Sequence, residues 1–155
     1  MIKLSRMADY GVILMVQVAR SGAKRTTAAE LAEAAGLPLP TVSKLTKQLA
    51  AANLLESHRG AAGGYVLSRH AANISVAEII SALEGPIALT ECMTAEGLMC
   101  EIEALCPTRT NWRKINDALV EAMERVSLAE MARPPFGAVR EPAPAVSEPA
   151  GTTAI

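Results

Sequence analysis

The first stretch of the chain arranges apolar and polar residues with the period of an α-helix. Ser5 precedes this stretch and belongs to the residue types that cap helix N-termini. The apolar positions behind it recur every three or four residues, at Met7, Tyr10, Leu14 and Val18. This spacing predicts a first helix that turns one apolar face toward the core of a domain.

A pair of helices separated by a short turn is predicted next. Thr27 and Glu30 form a capping box that opens a second helix, and Gly36 is placed to end it in the left-handed conformation. Pro40 suits the first turn of a third helix, which runs to about Ala52. Two helices joined by a glycine-containing turn are typical of a helix-turn-helix, although helix pairs without a DNA function share the pattern.

Two short strand-like runs follow the helix pair, over residues 54–58 and 64–68, and the glycine-rich turn 59–63 joins them. We interpret them as a hairpin wing. Ser75 and Glu78 form a second capping box, which predicts a fourth helix that Gly85 ends.

A long final helix is predicted from Thr108 or Thr110 to about residue 132. Its apolar positions alternate spacings of three and four, as in the seam between two packed helices, at Trp112, Ile115, Leu119, Ala122, Val126 and Ala129. Prolines interrupt the remainder, which we expect to be a disordered tail.

The expected architecture is mostly α, a winged helix-turn-helix with a small β-hairpin wing and a long C-terminal dimerisation helix. Four segments make it up: a DNA-binding domain over residues 1–85, a cysteine loop over 86–107, the dimerisation helix over 108–132 and the tail over 133–155.

Charge is distributed unevenly along the 155 residues, although the formal net charge is only -1. Residues 1–70 hold nine Lys and Arg against four Asp and Glu, whereas residues 71–155 hold six against twelve. The basic half suggests a polyanionic partner such as double-stranded DNA, and an ordinary solvated surface is the alternative.

The chain shows no apolar run near the roughly 20 residues that a membrane span requires, so no membrane partner is expected. Three cysteines without a secretory signal disfavour a disulfide framework and indicate reduced thiols in the cytoplasm. No histidine or carboxylate stands in a recognisable catalytic arrangement with a cysteine, so an enzyme is not expected.

The third helix divides into two faces on a helical wheel. Val42, Leu45 and Leu49 cluster on one face, which should be buried. The opposite face is short and basic, as a recognition helix requires in the major groove. We assign DNA contacts to Pro40, Thr41, Ser43, Lys44 and Lys47 of this helix, and to Arg59 and Gly60 of the wing. Arg59 suits a minor groove, and a solvated turn residue is the alternative.

Cys92, Cys100 and Cys106 fall within fifteen residues of one another. Thiolates are the ligands that iron-sulfur clusters prefer, and a loop can fold around such a cluster. Structural zinc sites more often use cysteines two to four residues apart. From spacing alone, an iron-sulfur cluster, a zinc site and unliganded thiols all stay open.

Several segments together resemble one known family. Residues 4–10, the helix pair, the wing 59–65, the stretch 82–86 and the three cysteines before Trp112 resemble the IscR-type iron-sulfur-sensing winged-helix transcription regulators, over residues 1 to about 132. The stretches 87–92 and 106–108 are most similar to regulators of the SUF cluster-assembly operon.

The resemblance implies a homodimer formed through the last helix and an iron-sulfur cluster on the three cysteines, with a 2Fe-2S form favoured over 4Fe-4S. It also implies that Arg59 enters the minor groove and that Ser43 faces the bases. We therefore expect a repressor of iron-sulfur cluster assembly genes. A metal-free thiol sensor of peroxide or nitric oxide that also binds DNA is the alternative.

The chain departs from the family at two positions. IscR-like members carry a histidine cluster ligand three residues after the third cysteine, where this chain has Arg109, which stays protonated and cannot ligate. They also tend to carry a carboxylate at the position of Ser43, so the preferred DNA site should differ. The fourth ligand is left open among solvent, a partner residue and four carboxylates, Glu91, Glu96, Glu101 and Glu103.

Overall fold

The computed structural model describes residues 3–90, 93 and 105–134, and over these ranges the chain is mostly helical with one small antiparallel sheet. In chain order the elements are α1 (Arg6–Ser21), α2 (Ala28–Ala35), α3 (Leu39–Ala51), β1 (Leu55–His58), β2 (Gly64–Leu67), a 3-10 turn (Ala71–Asn73), α4 (Val76–Glu84), α5 (Arg109–Glu124) and α6 (Leu128–Met131).

Helix α1 lies at the centre of the core and packs against α2, α3, α4, α6 and β2. Leu14, Met15 and Val18 are fully buried, and Met7 and Tyr10 pack half-buried against the same cluster. The predicted apolar stripe is thus confirmed. Gly11 lets α4 approach closely, because a Cβ there would lie 2.1 Å from Leu83 Cδ1.

The predicted helix starts are confirmed by their hydrogen bonds. Ser5 Oγ accepts from the backbone N–H groups of Met7 and Ala8 at 3.1 and 3.2 Å. Thr27 with Glu30, and Ser75 with Glu78, each form a reciprocal capping box. These side chains satisfy N–H groups that have no partner within a helix.

The hairpin is also confirmed. Strands β1 and β2 pair antiparallel in a register that sets Leu55 opposite Leu67 and His58 opposite Gly64. The described residues contain no helix long and apolar enough to cross a bilayer.

The prediction of one long helix over residues 108–132 is wrong. Helix α5 ends at Glu124, and a new capping box between Ser127 and Glu130 opens the short helix α6. The chain turns here because Leu128 enters the core, where it is fully buried, and its N–H donates to Ile74 O at 2.8 Å. Burying one leucine contributes about 2 kcal/mol, which continued helix on the surface would forgo.

Candidate nucleic-acid interface and cysteine site

Helix α3 is amphipathic in the sense that the sequence predicts. Val42, Leu45 and Leu49 are fully buried, and Thr46 joins them with its hydroxyl donating to Val42 O at 2.9 Å. The residues assigned to DNA lie elsewhere on the helix: Pro40, Lys44 and Lys47 are exposed, and Thr41 and Ser43 are half-buried.

The turn between α2 and α3 depends on Gly36. This glycine has φ 64° and ψ 32°, the left-handed region that costs glycine little. Leu37 N–H then donates to Ala32 O at 3.0 Å and closes the end of α2. The turn fixes the direction in which α3 leaves α2, as the helix-turn-helix motif requires.

Helix α3 carries no acidic residue, and within the described ranges Lys44 and Lys47 take part in no ion pair. Their ammonium groups therefore remain available to phosphates.

The wing is slim because its turn is built from glycine. Arg59 and Gly60 are exposed at the turn, and Gly60 has φ 99°. Gly63 N–H donates to Gly60 O at 2.9 Å, and a Cβ on Gly63 would lie 2.6 Å from His58 O. A side chain at residue 63 would therefore force the turn apart.

The wing is tied to the segment that precedes α2. Thr26 and Tyr65 exchange both backbone hydrogen bonds, at 3.1 and 2.9 Å, and Arg25 Nη1 donates to Ala62 O at 3.2 Å. Gly64 permits this approach, because a Cβ there would lie 3.0 Å from the backbone of Thr26. Strand β1 in turn packs on α3. The wing and the helix pair therefore form one packed unit.

Sequence reasoning missed Arg25 and Thr26. The only local sign of their importance is that they stand directly before the capping residue Thr27. Their partners lie about forty residues further along the chain, which no helical or strand pattern reveals.

Cys106 lies just before α5 and is partly exposed. Its Sγ is 3.4 Å from Thr108 Oγ1. The pKa of the Cys106 thiol is lowered, first by the hydrogen bond from the Thr108 side chain, then by the backbone N–H groups of Thr108 and Arg109 and by the charge of Arg109. A thiolate is the form that binds metals, so the donor chemistry at Cys106 suits a cluster ligand.

The other two predicted ligands, Cys92 and Cys100, lie outside the described residues, as do the candidate fourth ligands Glu91, Glu96, Glu101 and Glu103. The described part of the chain contains no group of three or more side chains able to hold a metal. The grouping of the three cysteines therefore stays a prediction. The tail beyond residue 134 is likewise outside the described residues.

Asn116 is a site residue that the sequence did not reveal. It is the one buried residue of α5. Its Oδ1 accepts from Leu89 N–H at 2.9 Å, and its Nδ2 donates to Ile87 O at 3.2 Å. The segment that leads toward the cysteines is thereby held on the helix that Cys106 precedes.

One face of α5, continued by the turn that follows it, is apolar and open. Trp112 is 42% exposed, Ile115 is 49% exposed, and Ala122 and Val126 are exposed as well, whereas Leu119 is half-buried. These residues lie on the face that the sequence assigns to a partner helix.

The family follows from a match over nearly the whole described chain. A family model described as "Rrf2: Iron-dependent Transcriptional regulator" matches residues 4–134. The chain belongs to the Rrf2 family. The HTH-type transcriptional regulator IscR of Escherichia coli is 32% identical over 130 residues, which cover 83% of this chain and 79% of that protein. The Rrf2 relatives are transcription regulators and not enzymes.

Two solved Rrf2-type structures resemble the fold. CymR of B. subtilis, titled the global cysteine regulator, is 31% identical with a TM-score of 0.67, over 85% of this chain and 97% of that chain. IscR of T. potens is 30% identical with a TM-score of 0.66, over 84% and 85%. Both similarities support the assignment of this chain as an IscR-like and CymR-like regulator.

Proposed function

We propose that this Rrf2-family protein is a cytoplasmic repressor of iron-sulfur cluster assembly genes, of the kind that serves the SUF system. The main supporting observation is the packed unit of α3 and the wing, which carries an exposed arginine and two lysines that make no ion pair among the described residues. Ser43, Lys44 and Lys47, with Pro40 and Thr41 near the helix start, would meet the major groove, and Arg59 and Gly60 the adjacent minor groove.

The proposed active form is a homodimer. The open apolar face of α5 supports this, because exposed tryptophan and isoleucine side chains on one helix face are typical of an interface. Two copies related by a twofold axis would place their α3 helices against half-sites about one helical turn apart on double-stranded DNA.

We assign the control of DNA binding to an iron-sulfur cluster held by Cys92, Cys100 and Cys106, with 2Fe-2S favoured over 4Fe-4S. The lowered pKa of Cys106 supports its role as a thiolate ligand. The fraction of the protein that carries a cluster would then follow the cellular supply of iron-sulfur clusters. Arg109 holds positive charge beside the thiolate but offers no lone pair, so the fourth ligand comes from elsewhere.

The readout would pass through α5. Asn116 fixes the segment 87–89 on this helix, and Cys106 precedes its first turn. A rearrangement of the chain between residue 89 and Cys106 would therefore act on α5 at both of these attachments. Because α5 carries the proposed dimer face, its position would set the separation of the two α3 helices.

A metal-free thiol sensor is the second candidate. The lowered pKa of Cys106 favours it too, since thiolates are also the form that oxidants attack. CymR of Staphylococcus aureus, 29% identical with a TM-score of 0.65 over 84% of this chain, has been solved in an oxidised form.

Metal analysis separates the two candidates. Protein purified without oxygen should contain iron and sulfide and absorb visible light, and Cys92→Ala should remove all three properties while the protein stays folded. Absence of iron, sulfide and colour after reconstitution would leave the thiol sensor.

DNA binding is tested with wing variants. Arg59→Ala should weaken binding to a selected DNA site and lower the slope of log affinity against log salt by about one. Glu56→Ala, on strand β1, is the matched control. It removes an acidic and not a basic group, so it should not weaken DNA binding. Unchanged affinity and slope in Arg59→Ala would refute the wing contact.

A further inference from the structure

Leu39 is an exposed leucine at the start of α3. Its side chain is 47% exposed, whereas Leu45 and Leu49 of the same helix are fully buried. Three other large exposed apolar side chains, Trp112, Ile115 and Val126, belong to the open face of α5 and the turn after it, but Leu39 lies on the helix that we propose to read DNA. Leu39 belongs neither to the buried core cluster nor to the partly buried side chains packed against it.

The start of α3 differs from the starts of α1, α2 and α4. Those helices begin at a serine or threonine whose hydroxyl accepts a backbone N–H. Helix α3 is preceded by Pro38, which makes no side-chain cap, and opens with Leu39 and Pro40. Its leading turn thus offers an apolar surface in place of a polar one.

The position of Leu39 on the helix aligns it with the proposed DNA contacts. Leu39, Ser43 and Lys47 stand four residues apart and form one row along α3. The N-terminal end of a recognition helix is the end that reaches base edges. Leu39 therefore leads a row whose later members are a small hydroxyl and a lysine.

The 5-methyl group of thymine is the apolar feature that bases present in the major groove, and apolar side chains contact it. We propose that Leu39 recognises a thymine 5-methyl group in the operator, and is a residue that determines DNA specificity. This inference rests on the proposed DNA binding by α3. It adds a base contact that the polar residues of the row do not provide.

The test removes the methyl group from the DNA and the side chain from the protein. The full-length protein first selects a site from random-sequence duplexes, and each thymine of that site is then replaced by deoxyuridine. The wild-type protein should bind about fourfold more weakly when one particular methyl is missing, the penalty expected for one lost apolar group. Leu39→Ala should bind the thymine site with the same loss and should show no further loss on the deoxyuridine site.

Met131→Ala is the matched control, because Met131 is 42% exposed but lies on α6. It should keep the full deoxyuridine penalty, and both variants should melt at the wild-type temperature. Equal deoxyuridine penalties in wild type and Leu39→Ala, or no thymine that matters, would overturn the inference and leave DNA binding intact. Failure to enrich any site would instead overturn the proposed DNA binding, and this inference with it. Loss of the dimer in Leu39→Ala would assign the side chain to a protein contact and also overturn it.

Discussion

The backbone and the side chain of Thr26 have opposite effects on stability. Its N–H and C=O both pair with Tyr65 and hold the wing. Its hydroxyl oxygen is buried and has no hydrogen-bond partner among the described residues. An unpaired buried hydroxyl costs about 1 to 3 kcal/mol, so the side chain opposes the stability that the backbone bridge supports.

Thr26→Val keeps the branched shape and both backbone hydrogen bonds but removes the hydroxyl. We expect the free energy of unfolding in urea to stay unchanged or rise by up to about 1 kcal/mol. Thr46→Val is the matched control, because the Thr46 hydroxyl is equally buried but donates to Val42 O, and its loss should cost about 1 kcal/mol. A clear loss of stability in Thr26→Val would show that its hydroxyl has a partner.

The reactivity of Cys106 depends on Thr108. Because the pKa of Cys106 is lowered, its thiolate forms at lower pH than that of an ordinary cysteine, and alkylation should reach half its maximal rate at correspondingly lower pH. Thr108→Val removes the largest cause and should move this midpoint upward. The measurement uses iron-free protein in which Cys92 and Cys100 are replaced by serine, so that Cys106 is the one thiol that reacts.

Thr110→Val is the control for this change, because Thr110 is exposed two residues further along and is not among the groups that lower the Cys106 pKa. It should leave the midpoint where it is. The same midpoint in Thr108→Val and in its parent would contradict the assigned cause.

Among the elements, α5 is attached to the cysteine segment by one buried side chain. Asn116→Leu keeps the bulk but leaves Leu89 N–H and Ile87 O without their partner. We expect a loss of about 1 to 3 kcal/mol in unfolding free energy and faster hydrogen exchange at the Leu89 amide. Asn111→Leu, at an exposed position of the same helix, should change neither. Unchanged protection of Leu89 would argue against the attachment.

Element starts were predicted well where local chemistry defines them, and poorly where a distant contact does. The capping residues Thr27 and Ser75 and the left-handed Gly36 act within one turn of helix, so the sequence alone reveals them. Ser127 forms the same kind of box, yet the apolar spacing continues across it to Ala129. Only the burial of Leu128 against the core decides that the helix breaks.

The links between elements could not be predicted from local patterns. From the sequence alone, Asn116 is one more polar residue on a helix surface, and Arg25 is a solvated residue before a helix cap. Their roles come from carbonyl and N–H groups 27 to 37 residues away along the chain. Periodicity carries no information about such pairs, whereas the face of α3 follows from its own sequence.

At the scale of the whole molecule, the division of charge agrees with a DNA-facing half and a regulatory half. The basic residues concentrate in the part that contains α3 and the wing, and the acidic ones in the part that contains α4 and α5. Association of two chains through α5 would therefore keep the acidic surfaces away from DNA.

The proposed dimer is tested by placing a charge on the open face of α5. Ile115→Glu should convert the protein to monomers in sedimentation experiments, because a carboxylate would be buried without a partner, and should raise the dimer dissociation constant at least about tenfold. The side chain is 49% exposed in the single chain, so the fold should persist with an unchanged circular dichroism spectrum. Lys114→Glu, exposed on another face of α5, should stay dimeric. If Ile115→Glu also stays dimeric and binds DNA normally, the dimer interface lies elsewhere. If the variant becomes monomeric and loses DNA affinity, α5 joins the two DNA-binding units.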